Sequence, residues 1–269
     1  MQKVQYGSGL AADTTRGPSP RLWGKVEVAD FILDPNRGAV LFDDFMAFGG
    51  TVASNVGTKF GTVPYKTYED TTTSINQLNT LIGGGIRFDL NAADNQECGM
   101  EVGGGNGGAF VVASGGQRLT FEARVRFNQI VTQNAFIGLA EKGLAITDGL
   151  ISDADAIGDK SLIGFHVVAA ASSSLIASHQ KNGGGGKTDV ATAQTLVAAT
   201  WYKIGFIFDP IASTVTWFVN GVSVGSITDI TVAKFPKDAY LTPFFNLKTS
   251  AAAATTMDID WWRCAQSQD

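Results

Sequence analysis

Hydrophobic and polar residues alternate with a period of two along most of this chain, and stretches with a helical period are few. The alternation is clearest over 201–225. Ile204, Phe206 and Phe208 fall on one side of a strand, and Val215, Trp217 and Val219 on one side of the next. Asp209-Pro210 ends the first strand, because proline has no N–H to give to a ladder. Asn220-Gly221 supplies the positive-φ pair of a tight hairpin before Val222 opens a third strand. In FEARVRF (121–127), Phe121, Ala123, Val125 and Phe127 share one face. Glu122, Arg124 and Arg126 share the other, which reads as a solvated ladder of opposite charges.

Shorter alternating segments near 61–68, 85–90, 97–102, 109–112, 161–168 and 174–180 are separated by glycine-rich turns, and the run AVLFDDFMAF from Ala39 opens the series. Turn signals at that spacing predict an all-β fold, a sandwich of antiparallel strands over 39–269. Residues 1–38 break the pattern. R-G-P-S-P-R and D-P-N-R-G predict an extended N-terminal arm with a short strand over 25–33. Leu22, Trp23, Phe31, Ile32 and Leu33 would each cost about 1.5 to 3 kcal/mol if left in water. They are therefore candidate contacts to a partner, a neighbouring subunit first, with folding back on the same chain as the alternative.

At 269 residues one sandwich can use the whole length, and the 32 glycines belong to its turns and bulges. The net charge of -5 and the absence of any Lys/Arg cluster in sequence argue against a nucleic-acid partner. MQKVQYGSGLAADTT lacks the apolar core of a signal peptide, and no segment has the roughly 18 to 20 apolar residues of a membrane helix. Use without secretion and without a membrane is the expectation. Cys98 and Cys264 match no metal spacing and are expected as buried free thiols, and His166 and His179 as strand residues. No cofactor is predicted.

The opening W-Y-K-I-G, the hairpin F-V-N-G and the closing D-I-D-W-W-R-C together resemble the last strands of the concanavalin A-like jelly roll. Lectins, laminin-G-like modules and laminarinase-type glycosidases share that fold. FEARVRF followed by FIGLAEKG (136–143) resembles, more particularly, a set of bacteriophage virion proteins with this fold. The resemblance spans about 39–266. It implies a capsid decoration or cement protein on the virion surface, made in the host cytoplasm, whose arm ties it to the major capsid protein and to its own copies as a homotrimer. The alternative, from a different class, is a carbohydrate-binding module that recognises a cell-surface glycan.

A retaining glycosidase needs two carboxylates about 5 to 5.5 Å apart. The resemblance implies a Glu-Asp-Glu alternation on a strand after the FEARVRF-like one, where this chain has FIGLAEKG with Glu141 alone. Glu97 and Glu101 alternate around Gly99, and Asp258 and Asp260 share a face, but neither pair has a middle carboxylate. The expectation is that the chain is not an enzyme. The loop over 142–160, with Asp148, Asp153, Asp155 and Asp159, resembles a calcium loop but departs from the EF-hand pattern after its second Asp. A solvated loop ranks ahead of a metal site there. Trp201, Trp217, Trp261 and Trp262 are the candidates for stacking on sugar, with a core role ranked ahead. Adjacent Trp261 and Trp262 must point to opposite faces, so one meets a loop, the arm or a partner.

Overall fold

The computed structural model describes residues 12–53, 56–78, 81, 84–103, 110–113, 116–130, 132–171 and 173–267. Two antiparallel sheets stack face to face. The first contains β1 (Gly38–Asp43), β5 (Ser74–Gln77), β6 (Ile86–Leu90), β9 (Leu119–Phe127), β14 (Thr200–Asp209), β15 (Thr214–Val219), β16 (Val222–Ile227) and β18 (Thr255–Ser267). Its order is β16-β15-β14-β9-β18-β6-β5, with β1 beside the C-terminal half of β18. The second contains β2 (Gly49–Ala53), β3 (Val56–Phe60), β4 (Pro64–Glu69), β7 (Glu97–Val102), β8 (Phe110–Val111), β10 (Gln133–Ala140), β11 (Leu162–Val167), β12 (Ser174–Gln180), β13 (Thr188–Thr195) and β17 (Tyr240–Thr249). Its order is β13-β12-β11-β10-β17-β7-β4-β3-β2, with β8 paired to β17.

Alternation puts every second side chain between the sheets. From the first sheet come Phe121, Ala123 and Val125, then Ile204, Phe206 and Phe208, then Met257, Ile259 and Trp262; Ile137, Leu139, Met100, Phe245 and Leu247 meet them from the second. Phe121 stacks on Phe206 at 5.6 Å and reaches Phe245 of the opposite sheet at 6.5 Å. Each such side chain contributes about 2 kcal/mol through burial. The predicted punctuation holds: β14 stops at Asp209, and Asn220 and Gly221 turn the hairpin with φ of 49° and 74°. Cys98 and Cys264 are buried and free.

Strand β18 departs from regular pairing at one position. Ile259 opposes Val125 and Trp261 opposes Arg124, so Asp260 is an extra residue, a β-bulge. Ile259 and Trp262 enter the core, while Asp260 and Trp261 both turn to the outer face.

One expectation needs correction. The arm has no strand over 25–33; it forms short helices α1 (Pro20–Trp23) and α2 (Val28–Leu33), with Pro20 at the helix start where its missing N–H costs nothing. Residues 1–11 of the expected arm, and Ala109 of the segment at 109–112, lie outside the described residues. Strand β17 carries no alternation to read, because YLTPFFNLKT is covered on both faces after its first residue.

Candidate functional site

The outer face of the first sheet divides in two. In the open half, Arg87, Asp258, Arg126 and Trp201 lie directly opposite one another in a single row across β6, β18, β9 and β14. Asp258 accepts hydrogen bonds from Arg87 (Nε, 2.7 Å; Nη2, 3.1 Å), from Arg126 (Nε, 2.9 Å) and from Asn128 (Nδ2, 2.9 Å). Burial alone would push its carboxyl up, but these donors outweigh burial and hold it below the ordinary value. Next along β18, Asp260 accepts from Arg124 (Nη1, 2.6 Å) and from Arg16 of the arm (Nε, 2.9 Å). The guanidinium carbons of Arg124 and Arg126 lie 4.4 and 4.7 Å from the Trp201 ring centroid. Arg124 and Arg126 thus face outward as the sequence predicts, but their partners are the carboxylates of β18 and not Glu122.

The arm covers the other half. Leu22 and Trp23 are buried with Phe218 and Ala265, and the Leu22 methyl sits over Gly205, where a Cβ would stand 2.8 Å away. Glu122 is buried beneath, accepting from Ser19 N (3.0 Å) and Trp23 Nε1 (2.8 Å), and burial raises its carboxyl despite them. Lys203 donates to Asp13 (2.6 Å) and to the Gly17 carbonyl. Leu22 and Trp23, candidate partner contacts by sequence, are therefore spent on the chain's own sheet, since α1 finds an apolar socket there. Phe31 is half-buried in the same cluster, while Ile32 and Leu33 remain 61% and 75% exposed.

The outer face of the second sheet is roofed by the chain itself. Glu101 Oε2 accepts from the backbone N–H of Gly143, Leu144 and Ala145, at 2.9, 2.8 and 3.2 Å. Glu97, on the same face two positions beyond Gly99, accepts from Asp148 N (2.9 Å) and Asn246 Nδ2 (2.8 Å), and burial pushes its carboxyl up to about 7. Buried Lys248 donates to Asp148, to Asp153 (2.8 Å) and to the Ile151 carbonyl, so an ammonium occupies the acidic loop. Asp155 accepts from Asn134 and Asp159 from Gln180 and Gly183, while Glu141 accepts from Ser161 N. The outward residues of β10 and β11 include Asn134, Phe136, Leu162 and His166, none of them a carboxylate.

At the far edge of this face, His166 Nε2 lies 3.0 Å from Lys187 Nζ. The ammonium can only donate, so Nδ1 carries the ring proton and donates to Ser178 Oγ at 3.0 Å. Burial, with Lys187 adding to it, lowers the imidazole to about 4. His179 instead points into the core beside Trp217 and Phe235.

The four candidate tryptophans separate cleanly. Trp217 and Trp262 are core; Trp261 turns outward and donates from Nε1 to the Arg16 carbonyl (2.7 Å), so it meets the arm. Trp201 alone among the chain's five tryptophans is only partly buried. Sequence reasoning named it but missed Arg87, Asn128 and Arg16 around it; the signal was the alternating Asp258 and Asp260 of the strand that pairs with FEARVRF.

No family model and no curated protein matches the chain. Among solved structures it is similar to a protein of unknown function from Shewanella oneidensis MR-1 (18% identity, covering 86% of this chain and 87% of that one, TM-score 0.54). It is also similar to an endo-1,3-beta-glucanase from Streptomyces sioyaensis (12%, 88% and 99%, TM-score 0.53). A third likeness is to a structure reported with endo-acting O-glycanases of human gut microbiota (11%, 85% and 99%, TM-score 0.52). These neighbours correct the expectation that the chain is not an enzyme. Its fold also houses glycan hydrolases, and the missing Glu-Asp-Glu alternation on β10 gives no ground for excluding hydrolysis. Two antiparallel sheets in this order, matched over nearly the full length of these structures, give the chain a concanavalin A-like jelly-roll fold.

Proposed function

We propose that this chain is a carbohydrate-binding protein, with its glycan site on the open half of the first sheet's outer face. One observation carries the reading: Trp201 is left partly exposed in a strip of guanidinium, amide and carboxylate groups, while the other tryptophans are buried. An indole offers an apolar plane to the C–H face of a pyranose, and the neighbouring polar groups answer its hydroxyls. Arg124 and Arg126 hold the ring in place before any ligand arrives, so little side-chain freedom is lost on binding. The fold supports the reading by analogy only, because its neighbours are below 20% identity. Screening the full chain on an array of bacterial and plant oligosaccharides should find a ligand, and Trp201→Ala should weaken it by about tenfold or more. A hit indifferent to Trp201→Ala would move the site elsewhere.

The virion reading keeps one observation of its own. Ile32 and Leu33 on α2 remain exposed, and α2 packs close to β1, whose Phe42 is also exposed. A decoration protein would use such a patch against the capsid protein or its own copies. Mass measurement of the full chain, alone and with Leu33→Asp, tests this; a monomer that binds no particle in either form ends it.

A further inference from the structure

We infer that the Trp201 strip selects an anionic glycan, one carrying sulfate or carboxylate groups. This rests on the glycan reading and narrows it to a ligand class.

The strip is layered. Its two carboxylates, Asp258 and Asp260, form the bottom with side chains 0% exposed. Above them the side chains of Arg87, Arg126, Arg124 and Arg16 retain 35%, 23%, 12% and 41% exposure. An approaching ligand therefore meets N–H donors and an indole, while the acceptors are filled and covered. Arg124 gives one hydrogen bond among the described residues, from Nη1 to Asp260, of the five N–H groups a guanidinium carries.

That polarity decides between ligand classes. A neutral pyranose hydroxyl donates as well as accepts, so a surface rich in donors meets half of its needs and leaves hydroxyl protons unpaired at a dry contact. Sulfate and carboxylate oxygens only accept, and the planar fork of arginine pairs with them two bonds at a time. The other charges around the strip lie at its rim: Asp89 beside Arg87, Asp44 toward Arg16, Arg263 over Trp261, and the Asp13, Lys203 and Glu122 set under the arm. The guanidiniums stand out further because the whole chain carries a net charge of -5. That same overall charge opposes any long polyanion, glycan and nucleic acid alike, so attraction must come from the strip itself.

The experiment is titration calorimetry of the full chain with matched oligosaccharide pairs. One pair is hexagalacturonate and its methyl ester; the other is a sulfated galactan tetrasaccharide and its desulfated form. For at least one pair, the charged member should bind about tenfold more tightly in about 20 mM NaCl, with the gap narrowing in about 300 mM as screening sets in. Which pair responds tells carboxylate from sulfate. Arg126→Gln, which leaves Asp258 its bonds from Arg87 and Asn128, should weaken the charged member more than the neutral one, and Arg126→Lys should restore part of the difference. A melting curve of each variant guards against reading a folding defect as lost binding. Equal affinity within both pairs overturns the inference and leaves the glycan reading standing. No binding by any member, with the oligosaccharide array also empty, overturns both. Tighter binding of an oligothymidylate than of any glycan overturns it in favour of nucleic acid.

Discussion

The two outer faces of this sandwich bury carboxylates in contrasting ways. On the first sheet, Asp258 and Asp260 are covered by guanidiniums that keep contact with water. On the second, Glu97 and Glu101 are covered by backbone N–H groups of a long loop. Charge answers charge on the first face, and Asp258 stays easily ionised. Dipoles answer charge on the second, and Glu97 drifts up to about 7 even with the Lys248 ammonium nearby. The lesson is that a sheet face can be closed by the chain or left to a ligand according to whether its acids are given backbone or arginine partners.

The largest effect expected comes from removing the cover of the first face. A chain beginning at Gly38 loses the burial of Leu22 and Trp23 and strips Glu122 of both donors, which should cost about 5 kcal/mol in urea unfolding. A loss below about 1 kcal/mol would mean the arm is only loosely attached.

Exchanging one acid on each face sharpens the contrast. Glu101→Ala leaves three N–H groups without an acceptor, two of them buried, and should cost about 4 kcal/mol. Asp260→Ala should cost about 2 kcal/mol, because Arg16 and Arg124 can turn to solvent. If the second change proves the costlier, arginine partners are holding their acid more firmly than backbone does.

The smallest effect is a pH dependence. His166 is lowered from 6.5 to about 4, so the unfolded chain binds the extra proton between those values and stability falls as pH drops through them. Glu97 is raised from 4.5 to about 7, so the folded chain holds the extra proton and stability falls as pH rises through that window. The two slopes oppose each other over pH 4.5 to 6.5. His166→Asn should leave a stability that declines with rising pH, and Glu97→Gln one that climbs, each by roughly 2 kcal/mol. Profiles of both variants that overlay the parent would show that neither group titrates as its surroundings imply.

Much of the architecture was legible because half-buried strands must alternate: β9, β14 and β15 can be read from Phe121 to Phe127, Ile204 to Phe208 and Val215 to Val219. Strand β17 was not, since both of its faces are covered and period two vanishes. The site was half legible. Trp201 and the outward arginines could be named, but their partners come from residues 16, 87, 128, 258 and 260, and only the sheet order brings these together. The bulge at Asp260 leaves no mark in the residue pattern, yet it decides that Asp260 and Trp261 share a face.

Strand β18 lies between β9 on one side and β6 and β1 on the other, so the last described residues of the chain complete a sheet that its first strand began. Gly38 pairs with Ser267 across almost the whole sequence. Loops of that length close slowly, and a growing chain on the ribosome must carry β1, β6 and β9 with a vacant seat among them until residues 255–267 emerge. Synthesis, not only stability, is thus a hazard for this protein: its refolding should be slow, and truncation within β18 should yield aggregates in place of a smaller folded domain.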